Sequence, residues 1–139
     1  MTEHARVYVD MVGDLFHPGH VALLRAARES GDHLVVGVLS DETAAAYKRR
    51  PIMTLAERVA MVGACRYVDE VIPDAPLRLT HAFLDEHDLA LVVHGDDLSA
   101  DVAADVYGPA LDTGRPRLLP RTGDVSTTDL IARVLRRML

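Results

Sequence analysis

Two histidines, a proline and a glycine stand together at His17-Pro18-Gly19-His20, directly after an apolar run. Proline suits the first turn of a helix, and glycine lets a second group approach the backbone closely. Residues three apart on a helix share a face, and the free N–H groups of a helix start attract anions. Two imidazoles in that place can donate hydrogen bonds to the phosphates of a nucleotide. A pair of surface histidines capping the helix is an equal alternative on local grounds. Zinc suits the segment less, because the spacing is short and no further ligand cluster supports it.

A second cluster lies far along the chain, at Arg121-Thr122-Gly123-Asp124-Val125-Ser126-Thr127-Thr128. One guanidinium precedes a glycine and three hydroxyls at a helix start. Arginine grips phosphate through two parallel hydrogen bonds. Plain N-capping by Ser126 or Thr127 accounts for one hydroxyl only. Asp96 and Asp97 follow an apolar strand and suit ribose hydroxyls, a magnesium ion or simply a turn. Lys48 is the one lysine beside 14 arginines, in a polar stretch before Pro51. A solvated basic loop is its plain alternative.

Elements that could position these groups follow from the hydrophobic pattern. Arg6 to Met11 reads as a first strand, and Gly19 to Glu29 has helical apolar spacing ended by Gly31. HLVVGVL (His33 to Leu39) is a continuous apolar run, as in buried parallel strands. Thr54 and Glu57 form a capping box for a helix to about Cys65. Val68 to Ile72 reads as a strand, Pro73 to Pro76 as a loop, Thr80 to His87 as a helix and Leu89 to His94 as a strand. Residues 99–116 read as a short helix and a loop, Arg117 to Pro120 as a last strand, and Ser126 or Thr127 as the cap of a closing helix. Alternating strands and helices predict an α/β, Rossmann-like domain: about five parallel strands with helices on both faces. In such sheets ligands bind beyond the carboxyl ends of the strands. The chemically rich segments all fall there.

Composition narrows the class. The 139 residues suit one domain spanning 1–139, and 49% apolar with 26% charged residues is ordinary for a globular protein. A net charge of −6 argues against general nucleic-acid binding, while local basic spots suit a small anionic ligand. No apolar stretch approaches a membrane span, and the first residues lack an export signal. Cys65 is the only cysteine, so no internal disulfide forms, which fits the cytoplasm. The closing helix is amphipathic and predicts packing as a core helix rather than lying on a membrane.

With DLFHPGH, PIMTLAERVAMVGACRYVDEVI, VVHGDD and RTGDVSTTDLI in order, the chain resembles the cytidylyltransferases over most of its length. The resemblance implies a Rossmann-like nucleotidyltransferase fold and one in-line transfer of CMP from CTP to a small anionic acceptor, with pyrophosphate leaving. It implies that His17 and His20 hold the CTP phosphates, that Arg121, Thr122, Ser126 and Thr127 grip the pyrophosphate end, and that Lys48 bridges the α-phosphate and the acceptor. Val12, Gly13, Asp14, Gly19, Asp41 and Asp96 would line the nucleotide, and Arg58 and Arg66 would help hold the acceptor. Mg²⁺ is the expected cofactor, with Asp14 a candidate to help hold it and no full protein ligand set assigned. A homodimer, with Arg66 to Val71 near its interface, is expected, as is possible fusion to another enzyme domain. Two segments depart from the family pattern: Met11-Val12-Gly13 before Asp14, and Gly123-Asp124 in the second signature.

Lys48 lies ten residues before Arg58, and Asp105-x-Tyr107 precedes the second signature. Both are similar to the phosphoethanolamine and phosphocholine branch rather than the glycerol-3-phosphate branch. A choline head wants an aromatic cage, and the chain has no Trp. The unusual loops and arginine-rich coding place a small phosphonate slightly ahead: 2-hydroxyethylphosphonate, as in phosphonate antibiotic biosynthesis of the fosfomycin type. Phosphoethanolamine or glycerol-3-phosphate comes next. Other expectations are an ATP-dependent adenylyltransferase acting on FMN or a mononucleotide, and a non-catalytic nucleotide-binding module.

Overall fold

The computed structural model of the chain describes residues 5–95, 106–108, 116–119 and 125–139. The strand β1 (Arg6–Met11) forms the middle of the sheet. Successive side chains of a strand point to opposite faces. Val7, Val9 and Met11 accordingly join one apolar cluster and Tyr8 the other. The strand β2 (His33–Leu39) is apolar nearly throughout because both of its faces are covered. With β3 (Glu70–Ala75), β4 (Leu91–Gly95) and β5 (Pro116–Leu119) it makes a five-stranded sheet in the order β3-β2-β1-β4-β5. Every pairing is parallel.

Two helices, α1 (Pro18–Arg28) and α3 (Leu55–Gly63), cover the first face. Leu24, Ala27 and Val62 pack there on Val7, Val9, Val36 and Val38. The second face is covered by α4 (His81–Glu86) and a helical turn at 106–108. Phe83, Leu84, Val106 and Tyr107 pack there with Tyr8 and Val92. Helices thus lie on both faces, as the pattern predicts.

Three elements differ from expectation. Asp41–Tyr47 is helical, here α2, where no helix is expected. Only Ala44 of it is buried, so DETAAAY carries no apolar stripe to read. The Ser40 hydroxyl caps it, accepting from Thr43 N at 3.0 Å. The strand β3 runs through Pro73, which reads as loop in sequence. It is an edge strand, where a missing N–H is tolerated. Asp74 bulges out of register with a φ of 53° between the pairs Val38–Pro73 and Leu39–Ala75. The final helix α5 (Thr127–Met138) buries none of its residues, against the expectation of a core helix. No described helix is long and apolar enough to cross a membrane.

Candidate active site

Strand order reverses at β1, between β2 on one side and β4 on the other. A crevice opens there at the carboxyl ends, where α/β sheets bind ligands. His17 lies in it as the N-cap of α1 and is 8% exposed. Its Nδ1 accepts from Gly19 N at 3.0 Å, and its Nε2 lies 3.2 Å from Thr127 Oγ1. Thr127 Oγ1 donates to the Asp14 carbonyl at 3.1 Å, so toward His17 it accepts. This network places the His17 hydrogen on Nε2. His20 Nδ1 accepts from His17 N at 3.1 Å, which leaves its hydrogen on Nε2 as well. The two rings sit 3.9 Å apart between centroids, and Phe16 stacks on His20.

Burial holds both imidazoles neutral. His17 is shifted down by desolvation, partly opposed by Asp129. His20 is pushed down to about 4 by desolvation, then by His17 and Lys48, against Asp14. Each imidazole thus carries one hydrogen, on Nε2, at the N-terminus of an 11-residue helix, that of His17 directed to Thr127 Oγ1.

Gly19 has a specific reason. A Cβ there would collide with the Val125 carbonyl and the His17 ring. The loop before α5 thus packs directly on the α1 N-terminus. Gly13 has φ +72°, a left-handed conformation that glycine adopts without strain.

Asp14 is 4% exposed and serves the backbone. Its Oδ1 and Oδ2 accept from Met53 N and Ile52 N, each at 2.9 Å. Its carboxylate therefore holds the 52–53 loop rather than facing a nucleotide. Arg58 corrects the expectation of an acceptor ligand. It is 0% exposed and donates to the carbonyls of Met53 (3.2 Å), Val12 (2.8 Å) and Leu39 (2.7 Å). Its Nη2 pairs with Asp41 Oδ1 at 2.5 Å. Asp41, expected at the nucleotide, is likewise committed, and Val12 contributes its carbonyl to this clamp. Arg66 is a further correction: it lies exposed beside the Tyr67 ring, after α3 and before β3, at the amino end of the sheet. The histidines are at the other end.

Lys48 ends α2, exposed, with its ammonium over the Tyr47 ring, and its charge is one of the causes that lower the His20 pKa. Ser126 caps α5, its hydroxyl accepting from Asp129 N at 3.1 Å. Capping accounts for Ser126, while Thr127 is spent on His17 and Asp14. Arg121, Thr122 and Asp96 lie outside the described residues. Among the described residues no cluster of three or more His, Cys, Asp or Glu could hold a metal. With both Asp14 oxygens occupied, these residues do not fit a protein-held Mg²⁺.

Sequence reasoning missed a group at the end of β1. Asp10 Oδ1 accepts from the Tyr107 hydroxyl at 3.0 Å, and Tyr107 stacks on His94 at 4.6 Å. Asp10 Oδ2 is buried without a hydrogen-bond partner among the described residues. Burial raises the Asp10 pKa to about 6, opposed by the Tyr107 and backbone hydrogen bonds. A carboxylate inside an apolar strand was the available signal.

Comparisons with known proteins agree with this fold. A model of the Cytidylyltransferase-like family matches residues 13–133. The chain is 47% identical over 131 residues to the ethanolamine-phosphate cytidylyltransferase of Dictyostelium discoideum, covering 94% of this chain and 36% of that protein. It is 42% identical over 134 residues to choline-phosphate cytidylyltransferase A of Mus musculus, covering 94% and 36%. The chain spans about a third of the length of these curated relatives. The fold matches a lipopolysaccharide core biosynthesis protein from Thermoplasma volcanium GSS1 with a TM-score of 0.71, at 24% identity, over 88% of this chain and 100% of that one. The parallel sheet, the histidine pair at the start of α1 and the match over residues 13–133 lead to one conclusion: the chain belongs to the cytidylyltransferase-like family.

Proposed function

We propose that this domain transfers CMP from CTP to phosphoethanolamine. An acceptor phosphate oxygen forms a bond to the α-phosphorus, the bond to the β-phosphate oxygen breaks, and pyrophosphate leaves. No covalent enzyme intermediate is needed. His17 and His20, as neutral donors at a helix start, stabilise charge developing on the phosphates. Lys48 supplies the positive charge between nucleotide and acceptor, and Arg121, Thr122 and Asp96 are proposed at the pyrophosphate and nucleoside ends. Mg²⁺ would enter as the counter-ion of the triphosphate.

One observation carries the choice of acceptor. Asp10 Oδ2 is a buried carboxylate oxygen lacking a partner among the described residues, seven residues before His17 on the same strand end. Such a group is costly unless a cation meets it. Phosphoethanolamine brings an ammonium. 2-Hydroxyethylphosphonate, expected first from sequence, brings none, and the two relatives named above act on ethanolamine phosphate and choline phosphate. That reverses the order of the two acceptors. We also propose that two copies pair around Arg66 to Val71, where Tyr67 borders a cavity of about 610 Å³ along α1.

The test is pyrophosphate release with Mg²⁺ and CTP against phosphoethanolamine, phosphocholine, glycerol-3-phosphate and 2-hydroxyethylphosphonate, with ATP plus FMN as control. We expect phosphoethanolamine to exceed the phosphonate in kcat/KM by more than about tenfold, as a buried, unpaired charge would cost the poorer substrate. A preference for the phosphonate overturns the acceptor. Silence with every acceptor, CTP still bound, overturns the transferase.

A further inference from the structure

A closed circuit of contacts runs beside the histidine pair and meets His17 at Thr127. The Asp14 carboxylate holds Ile52 N and Met53 N, and the Asp14 carbonyl holds Thr127. Between the 49–53 segment and the first turn of α5 one link completes the circuit: Arg49 Nη1 donates to Thr128 Oγ1 at 3.2 Å. The Asp14 links are half-buried, whereas the Arg49 link is exposed. It alone can open without disturbing the site's interior.

Lys48 stands directly before this link. On its other side, Lys48 N is fixed to the Ala44 carbonyl at 2.9 Å as α2 ends. Its backbone therefore hangs between a helix end and the Arg49–Thr128 bridge. Its own side chain reaches no carboxylate within ion-pair distance among the described residues.

We propose that Arg49 is a positioning residue which, by bridging to Thr128, closes the circuit and ties the Lys48 segment to the turn of α5 that meets His17 through Thr127. This rests on the transferase reading above. Arg49 touches none of the reacting groups in this arrangement and acts through Lys48. Arginine suits the task because its planar fork can keep one donor on Thr128 while the others stay hydrated.

Thr128→Val removes the acceptor of the bridge and leaves every charge in place. Arg49→Gln removes the donor, and Arg49→Lys keeps a charged donor. Thr128 and Arg49 are exposed, so these variants fold. With CTP and phosphoethanolamine, Thr128→Val and Arg49→Gln should each lower kcat about three- to tenfold, the scale of one charge-assisted hydrogen bond at a surface. The KM for CTP should change less. The double variant should be no worse than the worse single one, and Arg49→Lys should recover most of the loss. A second readout needs no turnover: the His20 ring titration followed by NMR in the free protein. His17, Lys48 and Asp14 are the groups that act on His20, and Thr128→Val alters none of them chemically. If the bridge holds Lys48 in place, the His20 titration moves up in Thr128→Val. Additive losses, or an unmoved His20 titration, overturn the proposal. If the wild type releases no pyrophosphate, the transferase reading fails by itself and the His20 titration still decides for or against the bridge.

Discussion

Replacing Arg58 by Met is the sharpest test of how the site is held. Arg58 is fully buried and joins four segments: the β1–α1 loop at Val12, the end of β2 at Leu39, the loop at Met53, and α2 at Asp41. Methionine fills much of the volume but satisfies none of these acceptors. Breaking a buried pair by removing one partner costs about 3–5 kcal/mol. Asp41 keeps 24% of its side-chain surface exposed, so part of its charge remains solvated. The lower end of that range, about 3 kcal/mol, is therefore expected. At this chain length each kcal/mol moves Tm by roughly 3–5 °C, giving a fall of about 10–15 °C. Urea unfolding followed by circular dichroism should show a lower midpoint with an unchanged slope. Arg58→Lys should recover little, since one ammonium cannot reach all four acceptors. Arg58→Met combined with Asp41→Leu should lose less than the sum of the two. A loss below about 1 kcal/mol for Arg58→Met would refute the clamp, because that is the scale of one ordinary surface contact.

Three further outcomes are expected. His17→Ala should lower turnover on the order of 10²–10³-fold, the scale of losing one preorganised donor, and near-normal activity would remove its role. Gly19→Ala should cost about 1–3 kcal/mol and displace the start of α5, because the new methyl meets the Val125 carbonyl, a backbone atom that cannot rotate away; a wild-type Tm would contradict this. Asp10 and His20 should give opposite pH slopes. The folded Asp10 pKa of about 6 exceeds its ordinary 3.8, so its stability contribution is intact below pH 4 and is lost as pH rises through 6. The folded His20 pKa of about 4 lies below 6.5, so its contribution is intact above pH 6.5 and is lost as pH falls through 4. Asp10→Asn should therefore stabilise the free protein at pH 7 and not at pH 4, and His20→Gln should flatten the acid limb. Urea midpoints from pH 4 to 8 check both; two profiles that track the wild type would be the contrary result.

The strands were legible because buried parallel strands are written as apolar runs, as in HLVVGVL. The helix α2 was not, because it is held by a cap and one buried alanine rather than an apolar face. Pro73 read as loop because only the sheet order reveals that β3 is an edge. In the site, residue types pointed to the histidines and hydroxyls. Bonding was invisible: His17 and Thr127 meet across 110 residues. Arg58 was misread as a ligand although its spacing places it among Leu55, Val59 and Val62, on the core side of α3. A charge on an apolar face, with an acid following the neighbouring strand, is the signature of a clamp. Asp10 hid in the same way, as a carboxylate inside a strand.

The hydroxyl of Thr127 closes onto Asp14 across 113 residues, and onto the histidine between. During synthesis the N-terminal partners emerge long before the C-terminal one. The sheet can begin to assemble from β1 and β2 at once, since their connection is short. The candidate site cannot: until α5 has emerged, His17 lacks its hydroxyl and the α1 N-terminus lacks the Val125 backbone that packs on Gly19. Closing such a distant contact comes late in folding, after nearer ones have formed. Closure of the contact between Thr127, His17 and Asp14 thus waits on the emergence of α5, well after β1 and β2 are available to pair. A nucleotide that binds only the finished site would act as a proofreader of folding, stabilising completed molecules and no partial ones.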